Sequence, residues 1–121
     1  MTHVLCYWAF LPFETTRLVN EGVAVYFDQT NNCLEEAKRE IRRANLDRIS
    51  VVELWKEPQS QSERVMYAVA GAFIESLRIN GGDQRLRQLL HDQTLETAWR
   101  IYGPQLADWI THFEQDLFLG E

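Results

Sequence analysis

Positive charge is scarce in this sequence. Its 121 residues hold 12 Lys and Arg against 18 Asp and Glu, giving a formal net charge of −6 and a pI near 5.0. Non-specific nucleic-acid binding needs a basic surface to displace counterions from phosphates, so composition excludes that class. The same shortage leaves no polybasic segment for anionic lipid. Long apolar runs are missing as well, since none reaches the roughly 18 residues needed to span a bilayer. The stretch from Val4 to Phe13 is interrupted by Pro12 and soon followed by Glu14. It lacks a basic n-region, so as written it does not read as a signal peptide. Cysteine is limited to Cys6 and Cys33. One disulfide and two free core thiols are both open, and the redox compartment stays undetermined. Internal repeats and low-complexity tracts are absent.

What remains is the balance of an ordinary globular protein, with 45% apolar and 25% charged residues. The length allows one domain with a real core, so residues 1–121 are expected to form a single unit. The patterning is helical nearly throughout. Met1 to Phe10 is apolar after His3 and reads as a buried helix, ending near Pro12 because the residue before a proline disfavours the helical region. Thr15 or Thr16 is placed to cap a second helix through Leu18, Val19, Val23, Val25, Tyr26 and Phe27. Asn31 and Asn32 mark a turn, and Leu34, Ala37 and Ile41 then give a solvated amphipathic helix. The β-branched stretch Ile49-Ser50-Val51-Val52-Glu53-Leu54-Trp55 is expected to be extended. Pro58 and the polar run after it form a loop.

From Glu63 the period is helical again, with Met66, Val69, Ala70, Phe73, Ile74 and Leu77 on one face. Gly81 is expected to stop this helix and Asp83 to cap the next. Thr94 is placed to cap a helix carrying Leu95, Ala98, Trp99 and Tyr102. Gly103-Pro104 breaks the chain, and Leu106, Trp109, Ile110, Phe113 and Leu117 line a last helix. The expected fold is therefore all-α, a compact bundle of five or six helices.

Three residues stand out chemically. His3 lies on the opening helix. Glu21 sits among apolar neighbours in Val19-Asn20-Glu21-Gly22, and a buried carboxylate needs a partner or a metal. Tyr67 begins the long helix whose Ala70, Gly71 and Ala72 let another backbone or a ligand approach closely. Singly, each has an ordinary reading: a solvated histidine, an ion-paired glutamate, a core tyrosine with its hydroxyl at the edge.

Taken together, the segments THVL, PFETTRLVNEGVAVYFD and YAVAGAFIESL resemble the active-site half of the gluzincin zinc metallopeptidases, which include thermolysin-like and aminopeptidase-like enzymes. Leu18 to Phe27 follows that superfamily's second motif, often written W-L-N/S-E-G-x-A-x-Y-F. His3 and Glu21 are 18 positions apart, close to the usual separation of the last histidine and the glutamate. The later helices also follow the family order, so the resemblance covers nearly the whole chain. It implies that His3 is the second histidine of HExxH, Glu21 the third zinc ligand and Tyr67 the hydroxyl that stabilises an oxyanion. It implies zinc as cofactor and peptide as substrate, hydrolysed by zinc-activated water.

The departure from the pattern is equally specific. Only Met1 and Thr2 precede His3, so the first histidine and the catalytic glutamate of HExxH are not among these residues. His91 and His112 do not replace them, being followed by Asp92 and Phe113. With His3 and Glu21 alone, zinc is expected to be absent or weakly held and the chain inactive as given. One explanation expects a His-Glu pair directly ahead of Met1 in a longer peptidase. The alternative is a non-enzymatic helical interaction module derived from a peptidase scaffold. Uncovered apolar residues around Val4, Leu5, Trp8 and Phe10 lead to the expectation of a homo-oligomer formed through the first helix. Endo- or exopeptidase action and localisation are not legible.

Overall fold

The computed structural model describes residues 15–28 and 32–119. The described chain is all-helical: α1 (Arg17–Asp28), α2 (Cys33–Arg43), α3 (Val51–Lys56), α4 (Glu63–His91), α5 (Leu95–Tyr102) and α6 (Gln105–Asp116), with a 3-10 turn at Pro58–Ser60. The expected all-α fold is thus observed, with six α-helices among the described residues. None of them is long and apolar enough to cross a membrane.

The long helix α4 is the axis of the structure. Its residues Val65, Met66, Val69, Ala70, Phe73, Ile74 and Leu77 are all buried, because their spacing puts them on a broad apolar stripe. Helix α1 makes the most extensive contact with it, and α2 the next. Arg17 reaches Glu63 and Tyr67 near the start of α4, whereas Tyr26 reaches Arg78 two or more turns on. The two helices therefore run in the same direction. Small residues set their approach: a Cβ on Gly22 would lie 2.7 Å from the Ala70 carbonyl oxygen, and one on Gly71 2.6 Å from Val25 Cγ1. The close approach expected at Gly71 is made by another helix. Phe73 then joins the far side of the core, with Trp55 of α3 and Phe113 of α6 at centroid distances of 5.8 and 5.4 Å.

Four local expectations change. The stretch expected to be extended is helical from Val51. Val51, Leu54 and Trp55 recur at i, i+3, i+4 and are all buried, so the helical period outweighs β-branching over so short a run. Ser50 caps it by accepting from Glu53 N at 3.1 Å. Glu114 of α6 accepts from Val51 N at 2.8 Å, satisfying a first-turn donor that has no intrahelical partner.

The break in α4 falls at Gly82, not Gly81. Gly82 has φ +85°, a conformation costly for any residue with a Cβ. Gly81 is required for a different reason: a Cβ there would lie 2.5 Å from Tyr102 Cε1. Asp83, expected as a cap, accepts instead from Arg78 Nε at 2.8 Å. Finally, Phe27 was expected among the packed apolar residues of α1 and is 63% exposed.

The remaining punctuation follows the sequence. Thr16 Oγ1 accepts from Val19 N at 3.4 Å, and Thr94 Oγ1 from Thr97 N at 3.1 Å. Asn32 occupies the N-cap position of α2 without a side-chain cap bond. Gly103 closes α5 with φ +77°.

Candidate functional site

The segment Val19-Asn20-Glu21-Gly22 lies in the middle of α1. Val19 and Gly22 face the core, and Asn20 and Glu21 are half-buried. This division comes from the helical period, which turns consecutive residues through about 100°. Glu21 is not without a partner. It sits one turn after Arg17 and one turn before Val25, on a single stripe of the helix.

That stripe runs beside Tyr67 of α4. Arg17 donates from a guanidinium nitrogen to Tyr67 Oη at 3.1 Å and to Glu63 at 3.2 Å. Its guanidinium carbon also stands 5.6 Å from the Tyr67 ring centroid. The bond to Tyr67, and then that to Glu63, push the Arg17 pKa further up and hold it charged. Because the phenolic oxygen accepts from Arg17, its own hydrogen is left to donate elsewhere. Two of the three predicted site residues, Glu21 and Tyr67, are on neighbouring helices, and Tyr67 is bonded to Arg17, one turn before Glu21 on α1. His3, and the apolar residues Val4, Leu5, Trp8 and Phe10, lie outside the described residues, as does Cys6. Cys33 is a buried thiol whose pKa is pushed up by burial, helped by Glu75.

A zinc site needs three or more donors. Among the described residues, no three His, Cys, Asp or Glu side chains gather as a metal-ligand set. Glu21 is the one predicted ligand that they contain. The described residues therefore fit a single carboxylate arm of a zinc site and no more.

Sequence reasoning missed Gln93, which fixes the start of α1. Gln93 is fully buried. Its Oε1 accepts from Thr16 N at 2.9 Å, and its Nε2 donates to Asn20 Oδ1 at 3.0 Å. Its backbone carbonyl accepts from Thr16 Oγ1 at 3.1 Å and from Trp55 Nε1 at 2.9 Å. Asn20, the residue before Glu21, is thereby locked to the loop between α4 and α5. No local pattern marks Gln93, because its partners lie 38 to 77 residues away. No protein-family profile, curated protein or solved structure matches this chain.

Proposed function

We propose that this chain is the helical part of a gluzincin-type zinc peptidase site, with Glu21 as a carboxylate ligand to zinc and His3 as an imidazole ligand. The observation that carries the reading is the mounting of Glu21. The helix bearing the Asn-Glu-Gly motif is held at its start by Gln93 and clamped at Gly22 against the helix bearing Tyr67. A ligand side chain must be held within a fraction of an ångström, and helices packed in this way do so better than loops. Arg17, one turn before Glu21 on α1, donates to the Tyr67 hydroxyl and fixes it, which supports the assignment of Tyr67 as the hydroxyl facing a developing oxyanion. Zinc, when bound, would activate water and polarise the peptide carbonyl. The substrate class is peptide.

Zinc competition against a chromophoric chelator tests this reading. Placing His-Glu directly ahead of Met1, to write His-Glu-Met-Thr-His, supplies the two missing motif positions. That variant is expected to bind zinc more than about tenfold tighter than the chain as given, because it gains a third protein ligand. Glu21→Gln is expected to remove the gain. Equal zinc affinity with and without the added pair, or indifference to E21Q, contradicts the reading.

A further inference from the structure

A pocket of about 280 Å³ lies between α1, α2 and α4, at the small end of the range for ligand sites. Its floor is apolar, formed by Val25, Cys33 and Ala68. Cys33 is a neutral contributor, since burial pushes its thiol pKa up. The walls carry opposite charges. Glu36 and Glu40 come from α2, and Arg64 comes from α4.

These charges do not neutralise each other across the pocket. Glu36 presents both carboxylate oxygens to Arg39. Glu40 is bonded by Arg43 through Oε2 alone, at 3.3 Å, and its side chain is only 14% exposed. Among the described residues, Arg64 makes no ion pair and no hydrogen bond. Glu40, with its Oε1 not engaged by Arg43, and Arg64 therefore line one pocket together with the apolar Val25, Cys33 and Ala68. One ligand class matches all three features: an ammonium for Glu40, a carboxylate for Arg64 and an aliphatic group for the floor. A residue inside a peptide has neither charge, whereas a free amino acid has both on one carbon.

We infer that this pocket binds a free α-amino acid with an aliphatic side chain, through Glu40, Arg64 and the Val25–Cys33–Ala68 floor. Tyr67 borders both this pocket and the candidate site, yet the inference uses no metal ligand and stands without the peptidase reading. L-leucine is the probe. Titrated into isotope-labelled protein, it is expected to give saturable amide shifts centred on Cys33, Glu40 and Ala68 in the millimolar range. N-acetyl-leucine and leucinamide each lack one charge and are expected to bind at least about tenfold more weakly, the worth of one charge-assisted hydrogen bond. Glu40→Gln and Arg64→Gln are each expected to weaken leucine to a similar degree. Both residues lie on helix surfaces, and an unchanged melting temperature checks that the variants fold. Failure of leucine to saturate, or equal binding of the two blocked analogues, overturns the inference. Zinc is absent from every arm, so the outcome is independent of the metal titration.

Discussion

Helix α1 is held at its two halves by opposite means. Its stretch from Gly22 to Val25 is a dry crossing, where Gly22 meets the Ala70 backbone and Val25 meets Gly71. Its N-terminal end is a polar junction, where one buried glutamine bonds to Thr16 and Asn20 and its carbonyl receives Thr16 and Trp55. The crossing sets how closely the helices approach. The junction sets the rotation and register of α1, because hydrogen bonds are directional and apolar packing is not. Glu21 lies between the two, so its orientation depends on both.

The comparison breaks first at the junction. Gln93→Ala removes two side-chain hydrogen bonds, the one accepted from the Thr16 amide and the one donated to the Asn20 carboxamide oxygen. A loss of about 3 kcal/mol is expected, measured by chemical denaturation. At the crossing, Gly22→Ala is expected to cost less, about 2 kcal/mol. The new methyl group meets a backbone carbonyl, and alanine's better helix propensity offsets part of the strain. If the glycine change proves the more costly, packing rather than hydrogen bonding dominates the fixing of α1. Trp55→Phe keeps the ring but loses the bond to the Gln93 carbonyl, and about 1 kcal/mol is expected.

Tyr102 provides a quieter contrast, a polar group inside an apolar contact. Its hydroxyl is buried without a hydrogen-bond partner among the described residues. Burial pushes its pKa from 10.0 up to about 12, with Arg85 opposing. The folded state keeps this proton while the unfolded chain releases it. The corresponding stability is therefore fully present below pH 10 and is lost as pH rises from 10 towards about 12. Tyr102→Phe is expected to flatten that alkaline decline and to leave stability near neutral pH unchanged or slightly higher. Arg17→Ala, at the exposed end of the α1–α4 pair, is expected to leave the melting temperature unchanged.

The same contrast explains how much of the molecule could be read in the sequence. The dry parts follow short-range periodicity. The stripe from Met66 to Leu77, the close approach at Gly71, the cap at Thr94 and a cap at Thr15 or Thr16 were legible, and the structure assigns the last to Thr16. The extended reading of Ile49 to Trp55 failed because β-branching was weighed above the i, i+3, i+4 spacing of Val51, Leu54 and Trp55. The glycine pair was half legible: a break was expected, but only the structure assigns Gly81 to the Tyr102 contact and Gly82 to the positive φ. Gln93 and the Arg17–Tyr67 bond were not legible. Their bonds join residues 38 to 77 positions apart, and no local pattern encodes such a pairing. In the candidate site, the motif placed Glu21 on a helix in sequence terms alone. What holds that helix came from distant side chains.

The central claim is that Glu21 is a metal ligand rather than an ordinary half-buried glutamate. Thermal unfolding with and without zinc tests it most directly, because a metal bound only by the folded state raises the melting temperature. Zinc is expected to raise the melting temperature of the chain carrying His-Glu ahead of Met1, and the rise is expected to vanish when that chain also carries Glu21→Gln or His3→Ala. An equal rise in Glu21→Gln would contradict the account.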